Sequence, residues 1–78
     1  LLPNPARQRV GVYFSENDQV RSYQLLDAYG RVLRIEEVAA TATEVIIDRG
    51  GLPAGTYFVK LFTDSGVLGI QRFLFLGN

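Results

Sequence analysis

The sequence predicts an all-β fold, an immunoglobulin-like antiparallel β-sandwich of six to seven short strands, from three observations. Apolar and polar residues alternate with a period of two, which is typical of half-buried strands and not of helices. Turn residues recur about every ten positions, the spacing of a sandwich. Tyr57 stands two residues after Gly55 at the start of a strand pattern, as in the tyrosine corner of immunoglobulin-like sandwiches.

Three strands are predicted in the first half of the chain. They are Arg9–Phe14, Val20–Asp27 and Arg31–Val38. Asp27-Ala28-Tyr29-Gly30 joins the last two, with Asp at the first position and Gly at the last position of a type I turn. Glycine there also suits the left-handed residue of a bulged hairpin. The second and third strands are therefore expected to form a hairpin, with Leu33 and Ile35 alternating along the return strand.

Three more strands are predicted in the second half. They are Glu44–Asp48, Thr56–Thr63 and Val67–Leu76. Residues 39–43 are small and polar and favour a loop, with a short helical turn as the alternative. Leu52-Pro53-Ala54-Gly55 is predicted to be a turn in which Pro53 sets φ at the second position, and Asp64-Ser65-Gly66 a hairpin turn.

The last two strands are apolar on both faces. Phe58 and Phe62 alternate with Tyr57, Val59 and Leu61. In the final strand, Phe73 and Phe75 share one face, and the other face holds four aliphatic residues, Leu68, Ile70, Leu74 and Leu76. A small two-layer sandwich has one interior, so one of these rows is expected to be exposed and to mark a partner site. We expect the isolated domain to self-associate through these strands.

Length and composition indicate one small globular domain that spans residues 1–78, with residues 1–7 as a linker leading into the first strand. The chain has 78 residues, of which 47% are hydrophobic and 21% charged. Lys and Arg number 8 and Asp and Glu number 8, so the net charge is zero, which argues against nucleic-acid binding and against electrostatic docking on an anionic membrane. We expect the domain to be part of a longer secreted protein.

Residue types that most catalytic sites need are missing. The sequence contains neither His nor Cys, which removes Ser–His and Cys–His chemistry and most zinc sites. The carboxylates lie at turns or on polar faces of strands, where a solvated charge is the usual interpretation. Glu16-Asn17-Asp18 does not have the spacing of an EF-hand loop and is expected to be a plain turn. We therefore expect no enzyme activity, no metal and no cofactor.

Four motifs in order resemble the C-terminal sorting domain of the type IX (Por) secretion system. They are Pro3-Asn4-Pro5-Ala6, Asp27-Ala28-Tyr29-Gly30-Arg31, Leu52-Pro53-Ala54-Gly55-Thr56-Tyr57 and Arg72-Phe73. The resemblance covers nearly the whole chain, and the ordered set is more specific than any one motif. It implies a non-catalytic secretion signal that follows its cargo through the periplasm and is recognised by an outer-membrane translocon. It also implies removal by a cell-surface sortase, which leaves the cargo on the cell surface or outside the cell.

Two groups of residues are expected to make the signal. The candidates for recognition by the translocon are Arg31, Lys60, Arg72 and Phe73. The residues expected to define the fold are Pro3, Asn4, Pro5, Asp27, Gly30, Leu52, Pro53, Gly55 and Tyr57. The predicted partners are an N-terminal cargo domain, the translocon and the sortase, with a possible homodimer through the last two strands.

An accessory module of a secreted enzyme is the alternative function. A carbohydrate-binding sandwich displays exposed aromatic rings, and Tyr13, Tyr29, Phe58 and Phe62 are the candidates. A purely structural spacer is the other form of this alternative, and it would tolerate deletion without changing where the cargo goes.

Overall fold

A computed structural model describes residues 8–77 of the chain. It contains six strands within these residues. They are β1 (Arg9–Tyr13), β2 (Ser22–Asp27), β3 (Val32–Glu37), β4 (Glu44–Asp48), β5 (Gly55–Thr63) and β6 (Gly66–Phe75). A single 3₁₀ turn, Glu16–Asp18, connects β1 to β2. The described part of the chain has no α-helix, which confirms the predicted all-β class.

The strands form two antiparallel sheets. One sheet pairs β1 with β4, and the other has the order β3-β2-β5-β6. The chain crosses from one sheet to the other three times, between β1 and β2, between β3 and β4, and between β4 and β5. This arrangement is that of strands B–E and C′–C–F–G in a variable-type immunoglobulin sandwich, with β5 in the place of strand F. The structure therefore agrees with the predicted sandwich.

The core lies between the two sheets. The two-stranded sheet contributes Val10, Val12 and Ile47 to it. The four-stranded sheet contributes its inner face, formed by the buried residues Tyr23, Leu25, Tyr57, Val59, Leu61, Phe73 and Phe75. Two of these rings, Phe73 and Phe75, pack edge to face with their centroids 5.1 Å apart. Period-two alternation in β5 and β6 thus places one row inside, as predicted.

The opposite row of the four-stranded sheet forms what we call the outer face. From β2 and β3 it contains Ser22, Gln24, Leu26, Val32, Ile35 and Glu37. From β5 and β6 it contains Thr56, Phe58, Lys60, Phe62, Val67, Ile70, Arg72 and Leu74. Leu68, at the register shift beside Val67, is 45% exposed. No described element covers this face. The prediction that one apolar row is exposed is confirmed, with Ile70 57% and Val67 53% exposed.

The connection between β1 and β2 is more ordered than a plain turn. The Ser15 hydroxyl accepts a hydrogen bond from the Asn17 amide, and the Asp18 carboxylate accepts one from the Ser15 amide. This reciprocal capping stabilises a single 3₁₀ turn. The carboxylate of Asp18 is therefore used within the turn. Residues 39–43 form a loop with one turn, closed by a 3.0 Å bond from the Ala42 amide to the Ala39 carbonyl, as predicted.

Strand β3 differs most from the simple alternation pattern. Leu33 and Ile35 are both exposed, and a bulge between Leu25 and Leu26 of β2 shifts the register. Arg34, on the inner face, extends towards the other sheet and donates from Nη1 to the Asp48 carbonyl at 2.6 Å. An edge strand with a polar residue facing inward resists pairing with another chain. This arginine also connects the two sheets.

Candidate functional site

Both predicted turn motifs lie at one end of the sandwich. Asp27, the last residue of β2, is paired with Tyr57 near the start of β5. Gly55, the first residue of β5, is paired with Phe75 at the end of β6. The two turns are separated by more than twenty residues in the sequence, yet the antiparallel register places them side by side.

The Asp27 turn is organised around one carboxylate. Asp27 Oδ1 accepts hydrogen bonds from the amides of Tyr29 and Arg31 at 2.9 and 3.0 Å, and Oδ2 accepts one from Arg31 Nε at 2.6 Å. The Gly30 amide donates to the Asp27 carbonyl at 3.0 Å, which closes the turn. Gly30 has a φ of 83°, a left-handed conformation that glycine adopts without strain. The predicted turn and its glycine are confirmed.

These contacts change the ionisation of Asp27. Partial desolvation favours the neutral acid, but the hydrogen bonds from the Arg31 amide, the Arg31 guanidinium and the Tyr29 amide favour the carboxylate and prevail. The pKa of Asp27 is therefore lower than its ordinary value. The carboxylate holds the turn in the form that positions Arg31.

The second turn contains the predicted tyrosine corner. The Tyr57 hydroxyl donates a 2.5 Å hydrogen bond to the Pro53 carbonyl, while the ring packs in the core 5.9 Å from the ring of Phe73. Gly55 has a φ of 148°, a conformation that residues with a side chain rarely adopt. Both residues thus shape this turn, and Leu52 packs against the core.

A pocket of about 290 Å³ lies between the two turns. Its walls are mostly apolar and come from both motifs, with Leu33 of β3 contributing one side. Ala28 of the first turn, Pro53 of the second turn and Tyr57 are among the residues that line it. Neither motif by itself makes a concave surface, so the pocket exists only because the fold joins them.

Arg31 and Tyr29 stand at the rim of this pocket. The guanidinium carbon of Arg31 lies 5.5 Å from the centroid of the Tyr29 ring, a cation–π contact that restrains both exposed side chains. The Arg31 side chain is 73% exposed, and its Nε is held by Asp27. Arg31 is therefore a restrained and accessible cation beside an apolar pocket. This arrangement is suited to recognition and not to proton transfer.

Lys60 and Arg72 lie elsewhere, on the outer face. Lys60 is paired with Ile70, and Arg72 is paired with Phe58 one row further along the same two strands. The Lys60 ammonium lies 5.9 Å from the Phe62 ring. The structure thus brings two of the recognition candidates together on one surface and places Arg31 at another.

Phe73, the fourth recognition candidate, lies in the core. It is 1% exposed and packs against the rings of Tyr57 and Phe75. Direct contact with a partner would require the sandwich to open, so this position gives Phe73 a structural role. Pro3, Asn4 and Pro5 lie outside the described residues.

Arg49 has a structural role that no sequence pattern predicted. Its side chain is 7% exposed, stacks 5.4 Å from the Phe75 ring, and donates to the carbonyls of Leu52 and Leu76 at 2.9 and 2.6 Å. Arg34 Nη2 in turn donates to the Arg49 carbonyl at 3.1 Å. No local pattern marks these arginines, because the carbonyls of Asp48, Arg49 and Leu76 that they bind lie 14 or more residues away in the sequence.

The described residues do not suggest metal binding or a membrane-spanning helix. Among residues 8–77, no three potential metal-ligating side chains of His, Cys, Asp or Glu are grouped together. Within the same range, no helix is long and apolar enough to cross a bilayer. The surface features that stand out are the pocket with Arg31 and the apolar, cationic outer face.

The comparison with known families agrees with these motifs. The family described as "Secretion system C-terminal sorting domain" matches residues 1–74. No curated protein matches the chain, and no solved structure does. The family match spans both turns, the pocket, and the two outer-face cations at positions 60 and 72. Since it covers nearly the whole sequence, the chain belongs to the family of secretion system C-terminal sorting domains.

Proposed function

We propose that the domain is a non-catalytic signal that directs an N-terminal cargo across the outer membrane and is recognised there through exposed cations. The observation that supports this most directly is the meeting of both turn motifs at one pocket, with Arg31 held at its rim. Asp27 and Tyr57 use their side chains to hold the two turns, whereas the Arg31 side chain is 73% exposed. A side chain that the fold positions but does not use is a good candidate for contact with a partner.

Family membership establishes the general role. The family indicates a sorting domain of the type IX secretion system, whose members act with secretion machinery on a cargo that precedes them. Such domains are in general non-catalytic, and export leads to the cell surface or the extracellular space. Transit through the periplasm, recognition by an outer-membrane translocon and removal by a surface sortase are the specific steps that we propose for this chain.

Arg31 and Arg9 make a matched pair for testing recognition. Their side chains are 73% and 74% exposed, and each forms one ion pair through Nε, with Asp27 and Asp48 respectively. We expect a reporter fused upstream of the domain to be exported by a type IX-competent cell. Arg31→Gln should reduce the exported fraction, and Arg9→Gln should leave it unchanged.

The outcomes of this experiment decide between two conclusions. Equal export of wild type and Arg31→Gln would remove Arg31 from the recognition site. Export of the reporter without the domain, or with residues 67–78 deleted, would contradict the sorting role itself. Circular dichroism of the purified variants provides the control for folding.

Cleavage by the sortase is expected near or before Leu1. A cut there would leave the folded sandwich complete, because β1 begins at Arg9. Mass spectrometry of the released domain would locate the cut. A cut inside β1 or after it would contradict this proposal.

Self-association through the last two strands is also proposed. Among the described strands, β6 lies at the edge of its sheet and has ten residues, and edge strands are where a second chain most readily adds to a sheet. We expect pairing of two β6 edges to produce a dimer at high protein concentration. Light scattering that shows a monomer throughout the accessible range would contradict it.

A carbohydrate-binding module remains the alternative function. The two most exposed aromatic rings are Tyr29 at the pocket end and Tyr13, which is paired with Glu44 near the other end of the sandwich. Phe58 and Phe62 are half-buried. These rings do not form a common stacking platform, so the sorting role is favoured. Specific binding on a glycan array, lost in Tyr29→Ala, would support the alternative.

A further inference from the structure

The outer face combines an apolar surface with two cations. Rows of paired residues cross the sheet, and two neighbouring rows form its middle. One row runs Ile35, Gln24, Lys60, Ile70, and the next runs Val32, Leu26, Phe58, Arg72. The neighbours of both positive charges on this face are therefore mostly apolar.

This face has an apolar cluster of its own. Leu26 is only 8% exposed, although it lies outside the core between the sheets. Its strand partners on either side are Phe58 and Val32, so side chains of the outer face bury it. Around this cluster, Ile70, Val67 and Leu68 are each about half exposed. An exposed apolar area of this kind on a small domain marks a site of interaction.

The two cations on this face have no acidic partner within the described residues. The ion pairs found in residues 8–77 join Arg9 to Asp48, Arg21 to Asp64 and Arg31 to Asp27, and none includes Lys60 or Arg72. Glu37, at the edge of the sheet, is the one acidic residue at an outer-face position of the paired strands. The middle of the face is therefore apolar and positively charged.

The charges restrict what can cover the face. Covering it removes water from Lys60 and Arg72, which is unfavourable unless carboxylates replace the water. A second copy stacked on this face about a twofold axis would bring the same two cations together. The occupant that satisfies both the apolar area and the charges is a different protein, with an apolar contact surface that carries carboxylates.

We propose that the outer face docks on an acidic, apolar surface of a partner protein, and that Lys60 and Arg72 select that partner. This proposal rests on the sorting role, because it describes a second contact of the domain with the secretion machinery. That contact is separate from the pocket at Arg31. This contact does not use the β6 edge. A dimer formed through that edge is therefore compatible with it.

The test compares reversal of both charges with their exchange. We expect Lys60→Glu/Arg72→Glu to lower export of an upstream reporter roughly tenfold or more, because like charges would then face each other across the contact. Lys60→Arg/Arg72→Lys keeps both charges and should be exported nearly as the wild type. Neither side chain lies in the core, so unfolding curves of all three proteins should agree. If the reversed domain does not fold, Lys60→Gln/Arg72→Gln takes its place, with a smaller loss expected.

A second pair of variants tests the apolar part of the contact. Ile70→Asp introduces a carboxylate in the middle of the outer face, whereas Ile46→Asp makes the same change at an exposed position, 46% accessible, on the other sheet. Export should fall for Ile70→Asp only. Wild-type export of both Ile70→Asp and the charge-reversed variant would overturn the proposal. If Arg31→Gln still lost export, the sorting role would stand without this contact.

Anionic lipid is the other class of partner that two cations in an apolar surface can attract. Flotation of the purified domain with phosphatidylcholine vesicles, with and without phosphatidylglycerol, distinguishes the two. No binding to either is the expected result. Binding that requires phosphatidylglycerol and is lost in Lys60→Glu/Arg72→Glu would assign the face to a membrane and overturn the protein partner.

Discussion

The two faces of the four-stranded sheet have similar apolar content, but the inner face is buried and the outer face is exposed. The inner face is covered by β1 and β4, so that Leu25, Val59 and Phe75 are fully buried. The outer face contains Phe58, Phe62 and a row of aliphatic residues along β6, yet Ile35 remains 68% exposed. Burial here depends on which face the second sheet covers, and not on how apolar a row is.

The difference separates stability from interaction. Side chains of the inner face contribute through area removed from water and through close packing. Exposed side chains of the outer face contribute little to folding and remain available to a partner. Four substitutions, from the largest expected effect to the smallest, test this separation.

Phe73→Ala should have the largest effect. The ring is 1% exposed and contacts two other aromatic rings, so its loss leaves a cavity that should cost about 3–5 kcal/mol. A domain this small has modest stability, and we expect it to be largely unfolded. Urea denaturation followed by circular dichroism measures the change. A loss below about 1 kcal/mol would show that the inner face is not the principal core.

Tyr57→Phe keeps the ring on the inner face and removes only the hydroxyl. The Pro53 carbonyl loses its 2.5 Å hydrogen bond, which should cost about 1–2 kcal/mol. Tyr29→Phe is the matched control, because that hydroxyl is on an exposed side chain. Equal midpoints of urea unfolding for Tyr57→Phe and wild type would mean that the tyrosine corner acts through its ring alone.

Asp27→Asn should change the pH dependence of stability. The pKa of Asp27 is lowered in the folded state, so the unfolded state binds this proton more readily in acid. The stability that the carboxylate contributes is therefore present above its ordinary pKa and is lost as the pH falls through the lower folded value. Melting temperatures between neutral pH and pH of about 3 should fall less steeply in Asp27→Asn than in wild type.

Asp64→Asn is the control for that experiment. Its carboxylate forms an exposed ion pair with Arg21 at 3.4 Å, which contributes little to stability. It should follow the wild-type curve. Parallel curves for wild type and Asp27→Asn would contradict the role assigned to the turn carboxylate.

Ile70→Gln should have the smallest effect on stability. The residue is 57% exposed on the outer face, so the free energy of unfolding should change by no more than about 0.5 kcal/mol. A loss close to that of Phe73→Ala would show that the two faces do not differ as described. The difference between the two faces is supported further if Ile70→Gln unfolds like the wild type but is exported poorly.

Local features were predicted well from the sequence. The strands, the Asp27 turn, the loop at residues 39–43 and the tyrosine corner depend on alternation and on residues close together in the chain. Gly30 and Tyr57 illustrate this, because one needs a left-handed φ and the other a carbonyl four residues upstream. Such requirements leave a pattern that can be found without a structure.

Features that depend on distant segments were not predictable. The pocket needs the β2–β5 register to bring two turns together, and Arg49 needs the Leu76 carbonyl, 27 residues away. Phe73 was a candidate for recognition because it follows Arg72 in a motif, and its burial follows from the face on which the second sheet packs.

The sequence by itself determined that this chain forms short strands, closes them with specific turns and belongs to the sorting-domain family. These properties follow from a period of two, from backbone angles that only some residues adopt, and from the order of motifs. Only the tertiary structure decided which apolar row is buried, where Arg31 meets a pocket, and that Lys60 and Arg72 share an uncovered face. The physical reason is that sheet register and the packing of one sheet on another set these contacts between residues far apart in the chain.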